Sequence, residues 1–279
     1  MPHKERIALI DNDHTAIGIT RQAELLDISR ASVYYEHVPH QEDIPIMHAI
    51  DALFTAYPFY GSRRIRAALV DQRIYLCRER VQRLMRVMGL ETIYPKKHVN
   101  TSISNTAHKK YPYLLRTVPI MHPNHVWGTD ITYIRLQNGF VYLVAIIDWF
   151  SRYVLAFELS HSLATEFCMT ALNRALHAST PEIHNSDQGT QFTDERYTAI
   201  LKLRDVEISM DGRGRCMDNI FTERLWRSVK YEDVYLKSYQ TIHEAREGLS
   251  NYFTFYNTTR KHQSLNYQTP KDVYFNNQS

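Results

Sequence analysis

The chain has 279 residues, 23% of them charged and 44% hydrophobic, with a formal net charge of +3. That length can bury a sizeable core and suits a catalytic domain with one or two small appendages, and no apolar run approaches the roughly 18 residues that a membrane span needs. The opening Met-Pro-His-Lys-Glu-Arg lacks the apolar stretch of a secretory signal, so a cytoplasmic protein is expected; Cys77, Cys168 and Cys216 stand singly, which suggests neither a zinc site nor a disulfide framework.

Residues 20–35 read as a compact helix pair. Thr20 caps a first helix through Leu26, Asp27-Ile28-Ser29 turns the chain, and Arg30 to Tyr35 opens a second short helix. The pair is either a DNA-reading helix-turn-helix that offers Arg30, Ser32 and Tyr34, or a helical hairpin that packs on its neighbours. Residues 38–45, with Pro39 and Pro45, read as a linker. Ile46, Met47, Ile50, Leu53 and Phe54 then fall at helical spacing, and Pro58 ends that helix. Ser62 caps the next helix, which reaches Val70 or Asp71, and a further helix runs from Arg78 to Met88 and closes at Gly89.

In that last helix Val81, Leu84, Met85 and Met88 form the buried stripe, leaving Arg80, Arg83 and Arg86 on the other faces. Between Pro58 and His98 there are ten basic residues against three acidic ones, a candidate DNA footprint. An arginine-rich face is often merely solvated, but here only Glu79 can offer an i,i+4 partner, to Arg83. Arg63, Arg64, Arg80, Arg83 and Arg86 are therefore candidate DNA contacts, together with Arg30. The stretch from Pro95 to Pro119 has little periodicity and reads as a basic linker, able to track a phosphate backbone or to act as a plain spacer.

From Val126 the pattern changes to strands: Val126 to Leu136, a Gln137-Asn138-Gly139 turn, Phe140 to Ile147, and Arg152 to Leu159, an antiparallel meander. A helix follows over Leu163 to Ala178, then a short strand at Glu182 to Asn185, a helix at Asp194 to Leu203, a strand at Val206 to Met210 and a helix from Asn219 to Lys230. This order suits an α/β fold with a mixed sheet covered by helices. A C-terminal helix spans Thr241 to Tyr256, before an Asn257, Arg260 and His262 tail that can pin itself to the core or touch DNA. The expected domains are 1–40, 45–94, a linker 95–120, a core 121–235 and a tail 236–279.

Three carboxylates in the core stand out. Asp130 interrupts an apolar strand, Asp187 stands where a strand breaks into turn residues, and Glu223 lies on a helix whose apolar face is Ile220, Leu225, Trp226 and Val229. Lys230 follows Glu223 by two helical turns on the same face. Taken singly each aspartate reads as a cap or turn residue. Asp148 is the chief decoy, assigned to hairpin hydrogen bonding; Asp218 is assigned to a helix N-cap and His184 to strand packing.

Asp130, Asp187 and Glu223, with 35 residues between the last two and with Lys230 after them, resemble the DDE triad of retroviral integrases and insertion-sequence transposases. The match extends to Tyr-Pro-Phe-Tyr-Gly-Ser-Arg-Arg from Tyr57, Val-Gln-Arg-Leu-Met-Arg from Val81, Trp-Gly-Thr-Asp-Ile-Thr-Tyr from Trp127, Ser-Asp-Gln-Gly-Thr-Gln-Phe from Ser186 and Arg-Lys-His-Gln-Ser-Leu from Arg260. It resembles the OrfB transposases of the IS-three family, which commonly have proline where Lys261 stands. The resemblance implies a ribonuclease-H-like catalytic core preceded by small all-α helix-turn-helix modules.

By resemblance Asp130 bridges two Mg²⁺ ions, Asp187 and Glu223 each hold one, Mn²⁺ substitutes, and Lys230 holds DNA phosphate. Two such ions activate the nucleophile and stabilise the leaving oxygen of a phosphodiester, and hard carboxylate ligands suit them. The implied partners are double-stranded DNA, as element terminal repeats and as target, further copies of the chain, and an upstream OrfA product or OrfA-OrfB fusion, in a bacterial cytoplasm with nucleoid association when DNA-bound. Two other readings remain at this point: a ribonuclease-H-like nuclease that only cuts, and an inactive transposase-derived DNA-binding protein.

Overall fold

A computed structural model describes residues 3–12, 14, 16–34, 42–92, 111–212 and 219–276. The chain divides after Ala49 into two compact units. The first contains α1 (His3–Ala8), α2 (Ile19–Leu25) and α3 (Arg30–Val33), and α4 (Asp43–Ala56) begins in it. Thr20 lies inside α2 and does not cap it; the N-cap is Gly18, without a side-chain bond. Ser29 caps α3 instead, accepting from the Ser32 N–H at 3.2 Å. The buried Gln22 amide ties the unit together, donating to the Asp11 and Ile17 carbonyls at 2.8 Å and accepting from the Asp11 N–H at 2.9 Å. The expected 38–45 linker ends earlier than the sequence suggested, because Pro45 fits the first turn of α4, where its missing N–H has no helical acceptor to lose; residues 35–41 lie outside the described residues.

The second unit opens with α5 (Ser62–Asp71) and α6 (Arg78–Val87). They pack on each other and bury Ile65, Leu69, Val81, Leu84 and Met85, each side chain contributing about 1.5–3 kcal/mol. Ser62 is the first residue of α5 rather than its cap, which is Gly61. At the other end of the pair Gly89 takes φ +70°, and the Leu90 N–H reaches the Met85 carbonyl while the Gly89 N–H reaches that of Arg86. This left-handed closure satisfies two terminal carbonyls and favours glycine. The expected linker at 95–120 falls mostly outside the described residues.

The expected core region contains a five-stranded mixed sheet in the order β3-β2-β1-β4-β5. β1 (Val126–Leu136), β2 (Gly139–Asp148) and β3 (Val154–Ser160) are the antiparallel meander, while β4 (Ile183–Ser186) and β5 (Glu207–Met210) run parallel to β1. α7 (Thr165–Ala178) and α9 (Glu195–Lys202) cover one face through Phe167, Leu172 and Leu201 against Trp127, Val144 and Ile146. α10 (Ile220–Val229) and α12 (Ile242–Thr258) cover the other through Leu225, Trp226, Leu249 and Tyr252 against Val126, Ile134 and Leu143. A short α8 (Thr190–Thr193) fills what the sequence marked only as a turn, and the expected cap Asp218 lies outside the described residues.

After α10 the helix continues as a π-helical turn over Lys230–Val234 and ends at α11 (Tyr235–Lys237). That turn carries Glu232, whose carboxylate accepts from Arg260 Nε and Nη2, both at 2.6 Å, from Arg64 Nη1 at 2.9 Å and from the Tyr252 hydroxyl at 2.9 Å. One buried carboxylate thus joins α5, the sheet-bearing core and the tail. The tail is pinned to the core, as one of its two readings held: Asn257 exchanges two 2.9 Å bonds with the Val154 backbone. A last helix, α13 (Pro270–Asn276), anchors Tyr274, whose hydroxyl donates to Asn124 at 2.7 Å. Among the described residues no helix is long and apolar enough to cross a membrane.

Candidate active site

β1 and β4 are in parallel register with Gly128 opposite Asn185. Two residues further along come Asp130, still within β1, and Asp187, the first residue beyond β4, where the two strands part and the Asp187 charge acts on Asp130. This is the end of a parallel pair at which α/β sheets place their ligands. Asp130 is half-buried. Burial, and then repulsion from Asp187, push its carboxyl up to about 7, against the lowering effect of hydrogen bonds from Trp226 and from the Ile131 N–H. Asp187 keeps one side open to solvent, but the protein crowding the rest of it lifts its carboxyl too, offset in part by the Gly189 N–H at 2.9 Å. Each carboxylate makes the other's charge expensive, the condition that a bound cation relieves.

Trp226 of α10 donates its indole N–H to Asp130 Oδ2 at 2.9 Å. Glu223 precedes Trp226 by three residues and Lys230 follows it by four, so the three share one helix face. Glu223 is exposed, and among the described residues no group of three His, Cys, Asp or Glu side chains stands close enough to hold a metal ion. The structure therefore brings Asp130 and Asp187 together and leaves Glu223 on the adjoining helix face. Lys230 has its ammonium 4.5 Å from the Tyr133 ring centre; burial lowers its pKa and the Asp130 charge opposes that shift.

A fourth carboxylate, Asp211, adds to the negative charge at Asp130 and accepts from Asn185 Nδ2 at 2.8 Å. The family resemblance puts the basic Asp211-Gly212-Arg213-Gly214-Arg215 stretch beside the metal site and near substrate DNA, but nothing local in the sequence singles out Asp211 as the residue that β5 delivers beside β4. The paired, hard, oxygen-only donors Asp130 and Asp187 suit Mg²⁺ or Mn²⁺.

The decoys behave as ordinary structural residues. Asp148 is fully buried and accepts from the Ser151 N–H and hydroxyl at 2.7 and 2.6 Å and from the Asn124 N–H at 2.7 Å. His184 is buried in β4 with Nε2 3.0 Å from the Tyr197 hydroxyl, and burial holds its pKa down at about 3, so it is neutral.

The arginines expected to touch DNA are placed differently from one another. Arg30 stacks over Tyr34 at 5.7 Å in the first unit. In the second, Arg64 is committed to Glu232, Arg80 and Arg83 are half-buried on α6, and Arg63 and Arg86 are exposed. The sequence reading passed over Arg224 and Arg227, although their positions one and four residues after Glu223 were a usable signal. Glu232 had none, since its two arginines are 28 and 168 residues away.

With this geometry in hand, known proteins supply the family. Integrase core domain models match residues 121–216 and 204–270, and an HTH-like domain model matches 40–98. The chain is 32% identical over 216 residues, 77% of its length and 73% of the relative's, to the transposase for insertion sequence element IS629 of Shigella sonnei. It is 32% identical over 221 residues, 76% of its length and 86% of the relative's, to the transposase for insertion sequence element IS904 of Lactococcus lactis subsp. lactis (strain IL1403).

The chain belongs to the integrase-core insertion-sequence transposases.

The resemblance to OrfB proteins of the IS-three family holds, and with it DDE transposase function and polynucleotidyl transfer as the reaction class. The HTH-like and integrase core domains make DNA the transposase's partner. A chain of the simian T-cell lymphotropic virus intasome, solved with PP2A regulatory subunit B56 gamma, superposes with a TM-score of 0.51 at 16% identity, covering 75% of this chain and 70% of that one. It bears out the ribonuclease-H-like fold of the transposase.

Proposed function

We propose that this transposase cleaves the ends of its insertion sequence and joins the freed 3′-hydroxyl to target DNA, with Asp130, Asp187 and Glu223 as its catalytic, metal-holding carboxylates. The observation that carries the reading is the Asp130–Asp187 pair, drawn together by strand register and tied through Trp226 to the helix of Glu223. When two divalent ions are bound there, they supply activation of the attacking oxygen and stabilisation of the leaving one.

The chain's own residues do the rest. Asp130 must give up its proton near pH 7 before it can serve as a ligand. The Trp226 N–H orients its carboxylate, and the Lys230 ammonium, on the same helix face as Glu223, holds a DNA phosphate next to it. No side chain forms a covalent intermediate, since the DNA hydroxyl is itself the nucleophile. The other expected DNA contacts, Arg30, Arg63, Arg64, Arg80, Arg83 and Arg86, belong to this proposal, as do self-association on the DNA, an OrfA product or OrfA-OrfB fusion as partner, and nucleoid association.

The deciding experiment incubates labelled duplex bearing the element's ends with Mg²⁺ and either the wild-type chain or Asp130→Asn, supplied with the upstream partner or as the fused chain. Joined products from the wild type alone are expected. Joining by the variant would remove Asp130 from the mechanism.

A further inference from the structure

Away from the carboxylates, a groove of about 610 Å³ opens between the start of α5, the outer side of α10 and the tail. Its walls carry Arg63 from α5, Arg78 from the start of α6, and Arg224 and Arg227 from α10. Among the described residues the only carboxylate in the lining is Glu232, and it is spent: Arg260 takes both its oxygens and Arg64 shares one. Among the described residues none of the four remaining arginines has an ion-pair or side-chain hydrogen-bond partner, and Arg78 Nε is enclosed without any acceptor. Even the Glu232 cluster has two guanidinium charges against one carboxylate.

Four like charges that converge from three separate stretches of chain around a concavity repel one another and cost stability. A scattered solvated surface would not concentrate them so. α5 also begins here, with Gly61 as an N-cap that provides no side-chain acceptor for the first-turn N–H groups, and Ser62 and Ser228 add neutral donors to the wall. Donor-rich, acceptor-poor and concave, the lining fits a run of phosphates.

We infer that this groove holds a phosphodiester backbone of double-stranded DNA, gripped on one side by the HTH-like domain at Arg63 and Arg78 and on the other by Arg224 and Arg227 of the helix that carries Glu223. The inference rests on the transposase reading and deepens it. A strand leaving the carboxylates along α10 passes Arg224 and Arg227, about 1.5 and 6 Å of helix rise beyond Glu223, and enters the groove. The HTH-like domain and the catalytic helix of one chain then hold the same DNA segment.

The test measures the salt dependence of binding of a fluorescein-labelled duplex carrying one element end. Each lost phosphate contact lowers the slope of log K against log salt by about 0.9. Arg63→Gln/Arg227→Gln is expected to lower it by about 1.8, Arg224→Gln alone by about 0.9, and Arg63→Lys/Arg227→Lys to keep the wild-type slope. An unchanged slope in the double glutamine variant, with its melting temperature also unchanged, overturns the inference. So does a slope that stays fixed while sedimentation shows a changed oligomer, which would give the groove to a second copy of the chain. Asp130→Asn, measured alongside, separates the two claims: retained strand transfer there defeats the catalytic proposal whatever the groove variants do.

Discussion

The indole N–H of Trp226 reaches Asp130 Oδ2 at 2.9 Å, across 96 residues of sequence. This bond ties the central strand directly to the helix of Glu223, as does the side-chain amide of its N-cap Asn219, which donates to the Thr129 carbonyl at 3.2 Å. The Trp226 bond also opposes the combined effect of burial and Asp187, which lift the Asp130 carboxyl to about 7.

That lift makes Asp130 a cost to the metal-free fold. Its folded pKa of about 7 lies above the ordinary aspartate value of 3.8, so the stability it contributes is fully present below 3.8 and is lost as pH rises through about 7. Asp130→Asn is therefore expected to stabilise the metal-free protein by about 2 kcal/mol at pH 8, a figure discounted for partial exposure, and by nothing at pH 3.5. Chemical denaturation at the two pH values, in chelator, checks this; equal effects at both would contradict the lifted carboxyl.

The same proton competes with a cation. Below about pH 7, Mg²⁺ affinity is expected to rise roughly tenfold per pH unit and to level off above it. Calorimetric titration of Mg²⁺ across pH 5.5–8.5, on the order of half-unit steps, reads the profile. Asp187→Asn should abolish the binding, and a flat profile in the wild type would show that Asp130 is not a ligand.

Glu223 is exposed, so Glu223→Gln should change unfolding free energy by less than about 0.5 kcal/mol while strand transfer disappears. Transfer at the wild-type rate from a normally folded variant would take Glu223 out of the site.

Gly128 lies in the Trp-Gly-Thr-Asp motif for reasons of space. A Cβ there would stand inside the contact radius of Trp149 Nε1 and 3.0 Å from Thr222 Oγ1 on α10. Gly128→Ala is expected to destabilise the core by about 2–3 kcal/mol and, by prising α10 from β1, to weaken transfer even in the molecules that fold. A melting temperature equal to that of the wild type would mean that the helix yields without cost.

Glu232 has only 8% of its side chain exposed and Arg260 only 4%. Burial alone would raise the Glu232 carboxyl, but the charges and hydrogen bonds of Arg260 and Arg64 outweigh it and hold the pKa below the ordinary value. Glu232→Gln leaves a buried guanidinium without its counter-charge and should cost roughly 3 kcal/mol. Arg64→Ala should cost less than Arg260→Ala, because the Arg64 side chain keeps 24% of its surface in water. Denaturant unfolding of the three variants gives the order.

The catalytic elements were legible in the sequence because their signals are local. Alternation and the Gln137-Asn138-Gly139 turn fix the β1–β2 hairpin, and the apolar spacing of Leu225, Trp226 and Val229 fixes α10. Asp130 and Asp187 stood out because a carboxylate in or just past an apolar strand is costly unless it is used. Asp148 was rightly set aside, since Ser151 and Asn124 satisfy it within its own hairpin region. What tertiary structure alone decided is which distant charges meet. Arg64 looks like any other arginine of a basic helix, yet it is tied to Glu232; Arg224 and Arg227 look like the solvated side of α10, yet they face Arg63 across a groove. Coulomb energy depends on separation in space, and chain order does not encode that separation until strand register and helix packing have set it.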